Sequence, residues 1–226
     1  MADTSTETGT DAETEKQAPI RTPRRDAVRN GARILEAARE VLAESGPEAS
    51  MEGIASRAGV GVGTIYRHYA NKDALIDALV GRVIDELDQA ADKALAAEEG
   101  AGLESFLLAL GESFSAHRRY AGLMLGRGDE AGADRIRGYL DELTTRARAA
   151  GTLAAETTLG DVMVLVWSLR ALVEMTGDIA PDAWRRLLDV QLTGLREPGP
   201  SSATPALSLE QVRQISASPT CSRRAG

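Results

Sequence analysis

The sequence predicts an all-α protein: an N-terminal three-helix helix-turn-helix domain followed by a C-terminal helical bundle domain. Three observations carry that prediction. Aromatic residues make up only 4% of the 226 residues while alanine and glycine are frequent, a composition that packs helices closely and is poor in the groups that a β-sandwich wants. No stretch alternates apolar and polar residues over five positions with β-branched enrichment. Apolar residues instead recur at helical spacing from Ile34 to Leu195.

The elements follow in chain order. Residues 1–20 are Thr, Glu, Ala and Asp with almost no large apolar group, so they are expected to be a disordered acidic tail. Thr22-Pro23 or Asp26 starts a first helix, whose stripe is Ile34, Leu35, Ala38, Val41 and Leu42 and whose stop is Gly46-Pro47. Ser50 caps a short second helix, Met51–Ala58, with Glu52 in its first turn and Gly59 at its end. A third helix follows over Val62–Tyr69. Asn71 caps a long fourth helix running to about Ala97, with Leu75, Ile76, Leu79, Val83, Ile84 and Leu87 on one face. Further helices are expected over Leu103–His117, Tyr120–Leu125, Ala133–Ala150, Gly160–Thr176 and Asp182–Leu195, the last opened by Pro181. Past Leu195 the chain turns Pro- and Ser-rich, and 198–226 is expected to be a disordered tail. Leu207–Ile215 could form a short helix, with little apolar surface to support it. The domains then read 21–72 for the helix-turn-helix unit, with its motif near 50–69, and 73–197 for the helical unit.

Composition excludes several function classes. One cysteine, Cys221, allows neither an internal disulfide framework nor a cysteine zinc site, and with two histidines, His68 and His117, no histidine-rich metal centre is expected. No cofactor is expected. The longest apolar run, Val162–Trp167, is six residues, too short to span a membrane, and the acidic start does not resemble a signal peptide. A cytoplasmic protein is the expectation. An enzyme would need paired acids or a nucleophile with its base, and Glu112, His117 and Glu174 have no spacing that links them.

The net charge of −8 hides an uneven distribution. Residues 1–20 carry −4, residues 21–72 carry +3, and residues 73–226 carry −7. A basic segment between acidic ones is the footprint of a local polyanion-binding module, although a solvated helix face has the same charge.

The informative stretch is SMEGIASRAGVGVGTIYRHYANK, residues 50–72. Two short helices around a turn at Gly59 make a helix-turn-helix, with Ile54, Ala55, Val60 and Ile65 spaced to pack inward. Thr64, Tyr66, Arg67, His68 and Tyr69 remain on the other face, and such groups hydrogen-bond phosphates and base edges. Gly61 and Gly63 remove bulk from the first turn, where backbone N–H groups can approach a phosphate. Arg67 is the one long donor and can fork onto guanine; Val62 can touch a thymine methyl. Core packing remains open for Tyr66 and Tyr69. His68 has no second ligand nearby for a metal.

These residues resemble a family. Ile34-Leu35-Glu36-Ala37-Ala38, Gly46, Ile54-Ala55, Ala58-Gly59-Val60, Gly63-Thr64-Ile65-Tyr66, His68-Tyr69 and Asn71-Lys72-Asp73-Ala74-Leu75 look like the DNA-binding domain of the TetR-family transcriptional regulators over about 27–86. The segments at 149–153 and 184–189 look like one common C-terminal variant. The resemblance implies that Val62, Gly63, Thr64, Tyr66, Arg67 and His68 contact the major groove, that Thr64, Tyr66 and Tyr69 reach phosphates, and that Lys72 clamps another. The sequence departs at Gly61, where Ser or Thr often caps, and at Glu52, basic in some members.

One such module offers four to six cations, too few for specific binding at physiological salt. A homodimer on a palindromic double-stranded DNA operator, with recognition helices about 34 Å apart, answers this. Gly160–Thr176 and Asp182–Leu195 are the candidate interface, unless Val162–Val173 is one protomer's core. The resemblance also implies a small-molecule effector in the second domain, whose binding shifts the fourth helix. Phe106, Leu110, Phe114, His117, Tyr120, Met124, Met163, Trp167, Arg170 and Glu174 are candidate lining groups. The same residues at helical spacing also suit a core, Arg170 and Glu174 suit a pair one turn apart, and His117-Arg118-Arg119 suits a helix end. The competing reading is a helical protein-interaction module on the same fold that no longer binds DNA.

Overall fold

The structure, a computed structural model of the chain, describes residues 23–98, 100–124, 130–196 and 204–217. The acidic tail expected over 1–20 lies outside the described residues, as does Cys221. Every regular element among the described residues is helical.

The first unit is α1 (Pro23–Ser45), α2 (Met51–Ala58) and α3 (Val62–His68). Proline opens α1, where a missing N–H costs nothing. Gly46, at φ +57°, and Pro47 end it. The Ser50 hydroxyl accepts from the Gly53 N–H at 3.0 Å and caps α2. Ile34, Leu42, Ile54 and Ile65 are wholly buried where the three helices meet. Each such side chain contributes about 1.5–3 kcal/mol relative to exposure. Ala55, small where α1 and α2 cross, is buried with them.

Helix α4 (Lys72–Leu95) serves both cores. Its cap is the Asn71 side chain, which accepts from the Ala74 N–H at 2.8 Å. Leu75 and Leu79 complete the first core, whereas Leu87, Ala91 and Ala94 belong to the second. No break in structure occurs at the boundary expected between 72 and 73; the first two turns of α4 are needed to close the helix-turn-helix core.

The second unit holds α5 (Gly102–His117), α6 (Ala121–Met124), α7 (Glu130–Ala149), α8 (Leu159–Thr176) and α9 (Ala183–Arg196). Thr158 and Asp161 cap α8 reciprocally. Pro181 lies in the turn before α9 rather than inside it. Between α5 and α6 the chain makes a tight 3-10 turn, Arg118–Tyr120, and the Tyr120 ring is inserted into the first core, 2% exposed. That ring and the continuous α4 join the two units. Around them Arg39 pairs with Glu86 and Arg82 with Glu36 between α1 and α4, each also meeting an acid of its own helix; these pairs are half-exposed and individually weak.

The expected disordered tail over 198–226 is corrected within residues 204–217. A helix, α10 (Leu209–Ala217), stands there, with Val212 wholly buried in the second core. Its first turn is closed by Ser208 and Gln211, each accepting from the other's backbone N–H at 3.2 and 2.9 Å. The approach is permitted by Gly160 of α8: a Cβ there would sit 2.3 Å from the Leu207 carbonyl oxygen. One valine and a glycine seat are too little to read from local composition.

Candidate functional site

The outer face of α3 is built from both ends. Gly59 sits at φ +61°, the left-handed turn that stops α2 and swings the chain into α3. The Arg33 guanidinium donates to the Ala58 carbonyl at 2.6 Å and holds that corner. Gly61 precedes α3 without a side-chain cap, as its identity requires. Ile65 is the buried anchor of α3, which leaves Val62 at 44% and Tyr66 at 45% exposed on the open side. Gly63 and Arg67 are exposed beside them, and Thr64 is half-buried. A Cβ at Gly63 would meet nothing within 4 Å, so the first turn is open to an incoming backbone.

Arg67 lies back along its own helix. Its Nε is 3.3 Å from the Gly63 carbonyl and its Nη2 is 3.3 Å from the Thr64 hydroxyl. Lys72 donates to the Pro47 carbonyl at 2.5 Å, placing its ammonium against the 3-10 turn between α1 and α2. His68 and Tyr69 are half-buried and less available than expected. The His68 ring lies against Gly31 of α1, at 3.7 Å from the position of a Cβ there. Tyr69 packs on the first core, and burial pushes its hydroxyl pKa up. The open face is therefore Val62, Gly63, Tyr66 and Arg67, flanked by Lys72.

Several of the basic residues that gave the segment its charge are spoken for. Arg57 forks onto Glu44 at 2.6 and 2.9 Å and reaches Glu40 at 3.1 Å. The Glu44 hydrogen bond chiefly holds its pKa well above the arginine range, and Glu44 is lowered in return. Arg39 faces Glu36 and Glu86. Arg29 is exposed at the N-terminal half of α1. Its charge alone does not distinguish it from its neighbours in the sequence.

Two of the cavities in the helical unit adjoin and are lined by expected groups. One, of about 490 Å³, is lined by Leu110, Phe114, Met163, Trp167, Arg170 and Glu174, six of the expected groups. The other, of about 250 Å³, is lined by Phe114, His117, Met124, Arg170 and Glu174 among the expected groups. Ile84 and Leu87 of α4 line both. Phe106 is corrected: it is wholly buried and packs edge-on to Tyr139 at 6.1 Å, away from both cavities. Tyr120 is likewise in the first core. Arg170 and Glu174 pair at 3.3 Å. His117 is the last residue of α5 and buried, and that burial lowers its pKa. Arg137 and Ser216 of α10 also line the larger cavity, and neither stood out from an apolar pattern. Among the described residues no three His, Cys, Asp or Glu side chains gather as a metal site, and no helix is long and apolar enough to cross a membrane.

Known proteins share this architecture. The profile of the bacterial regulatory proteins of the tetR family matches residues 34–79. The HTH-type transcriptional regulator UidR of Escherichia coli is 45% identical over 49 residues, 21% of this chain and 25% of its own length. An HTH-type transcriptional regulator of Staphylococcus aureus (strain USA300) is 41% identical over 63 residues, 27% of this chain and 34% of its own. The match thus spans a quarter to a third of these relatives. Solved structures extend it. A TetR transcription regulatory protein from Mycobacterium vanbaalenii superposes with a TM-score of 0.61 at 31% identity, covering 77% of this chain and 99% of the other. The TetR transcriptional regulator SCO0520 from Streptomyces coelicolor gives 0.60 at 27% identity, covering 75% and 99%.

Proposed function

Because this chain belongs to the TetR family of bacterial transcriptional regulators, we propose that it is a homodimeric DNA-binding repressor, acting in the cytoplasm and released from a palindromic operator by a small-molecule effector. The observation that carries DNA binding is the face of α3. Ile65 anchors the helix inward while Val62, Tyr66 and Arg67 are held outward on a rigid core. Apolar and aromatic groups are left in water there beside a guanidinium with only weak local partners. That set suits a major groove, where a methyl, a phosphate and a guanine edge are within reach of one helix turn.

Dimerisation is supported by the outer face of α8 and α9. Val164, Met175 and Val190 are exposed, and Ala171 lies between the first two on the same side of α8. The effector reading is supported by the paired cavities and by α4, whose Ile84 and Leu87 wall them while its Leu75 and Leu79 pack in the DNA-binding core. A ligand that binds better when α4 is displaced would draw the protein out of its DNA-competent state.

The test is fluorescence anisotropy of a labelled duplex from the region upstream of the protein's own gene, across a salt series. Specific binding that weakens steeply with salt is expected. A flat salt response, or no preference over scrambled duplex, favours a protein-interaction module.

A further inference from the structure

Each of the two cavities is lined by a residue carrying a buried polar atom that has no partner among the described residues. In the smaller it is His117 Nε2, in the larger Arg137 Nε. The third such atom, Asp88 Oδ1, belongs to a residue that lines neither cavity. A buried donor or acceptor without a partner is costly, and it marks where a ligand atom would be favoured.

We propose that the effector is an uncharged, elongated and mainly apolar molecule that donates a hydrogen bond from a hydroxyl or N–H group to His117 Nε2 and accepts one from Arg137 Nε at a carbonyl oxygen. This rests on the effector reading above and specifies its chemistry.

The lack of charge follows from pairing. Each charged side chain that lines these cavities beside the two orphan atoms already has an opposite partner: Arg170 with Glu174, Arg118 with Asp178, and Arg137 with Asp134. An ion drawn from water into this space meets no uncompensated charge to offset its desolvation. The elongation follows from the shared walls. Ile84, Leu87 and Phe114 line both cavities, so one apolar chain can run along them from His117 to Arg137.

The direction of the hydrogen bond at His117 follows from its other nitrogen. Nδ1 is 3.3 Å from the Ser113 hydroxyl. In the proposed complex Nδ1 carries the hydrogen and donates it to that hydroxyl, which leaves Nε2 as an acceptor. The position also matters. His117 ends α5, and its ring meets the edge of Tyr120 at 5.6 Å, the side chain inserted into the DNA-binding core. A ligand group on Nε2 acts one ring contact away from that core.

The test is isothermal titration calorimetry of the full chain with four eight-carbon probes. The first carries a ketone at one end and a hydroxyl at the other. The second is its methyl ether, which lacks the donor; the third is the hydroxy-acid, ionised at neutral pH; the fourth is plain octanol, which lacks the carbonyl. The hydroxy-ketone is expected to bind about tenfold tighter than each of the others, the size of one buried hydrogen bond or one uncompensated charge. His117→Phe should abolish the preference over the ether alone, and His117→Gln, which restores an acceptor, should keep it. Arg137→Leu should abolish the preference over octanol alone. Each preference is a ratio within one variant, so a general loss of affinity cancels. Tighter binding of the hydroxy-acid, or a hydroxyl preference that survives His117→Phe, overturns the proposal. Equal binding of all four leaves the effector reading standing and removes this chemistry. No binding of any probe at millimolar concentration removes both.

Discussion

Arg67 is held to α3 by two hydrogen bonds of 3.3 Å, long for a charged donor, so the side chain can leave them for a guanine edge at little cost. Arg67→Ala is therefore expected to lower operator affinity by about 1–3 kcal/mol and to relax preference at one base pair, read by anisotropy on a panel of single-base operator variants. An unchanged affinity would move base recognition elsewhere. His117 carries a different consequence. Its pKa lies below the ordinary 6.5, chiefly through burial, so on acidification the unfolded chain takes up this proton before the folded one does. Stability is then flat above about 6.5 and falls as pH drops below it. Arg39 of α1, Glu86 of α4, Arg118, Tyr120 and the Arg170–Glu174 pair of α8 surround that side of the molecule. Of these, Arg39 opposes protonation and Glu86 favours it. Urea midpoints at pH 7 and pH 5.5 should fall further in the native protein than in His117→Phe; equal falls would show that His117 does not contribute.

At the scale of elements, local chemistry set the boundaries and long-range contact set the rest. Ser50, Gly59 and Asn71 were legible because a cap or a left-handed turn is decided within four residues. Gly59 is the sharpest case. At φ +61°, and with the Arg33 guanidinium 2.9 Å from where a Cβ would stand, Gly59→Ala should destabilise the protein by about 1–2 kcal/mol, measured by urea denaturation. An alanine tolerated without loss would show that the turn relaxes. Phe106 and Phe114 were not separable in the same way. Both fall on the apolar side of α5, and only the placement of α4, α7 and α8 decides that Phe106 packs on Tyr139 while Phe114 faces the cavities. The docking of α10 was hidden for the same reason, since Leu207 finds Gly160 across some fifty positions of chain. Gly160→Val should push Leu207 off α8 and open the wall that Ser216 completes. Faster proteolysis after Arg213 in that variant than in the native protein is the expected readout, and equal rates would show that α10 is not held there.

At the scale of the whole molecule, charge bears on the proposed dimer. Of the cations in the basic segment, Arg57 and Arg39 are neutralised by acids of α1 and α4, and Arg33 is tied to a helix end. Among the described residues Arg29, Arg67 and Lys72 are not in such pairs, a small phosphate-binding capacity per proposed protomer against a chain of net charge −8. Three or four phosphate contacts per protomer give a salt slope on the order of −3, and two protomers on one duplex double it. The face that would join them is apolar at Val164, Met175 and Val190, and Gly194, one turn beyond Val190, has open space over its Cα, so two α9 helices can approach closely there. Val164→Glu, on an exposed position of this face, should leave the fold and its melting profile nearly intact while placing a carboxylate against its symmetry mate. Light scattering should then report a monomer, and the slope of log affinity against log salt should fall by about half, with specific binding lost near physiological salt. A variant that stays dimeric with an unchanged slope would remove α8 and α9 from the interface and require the protomers to meet through another surface.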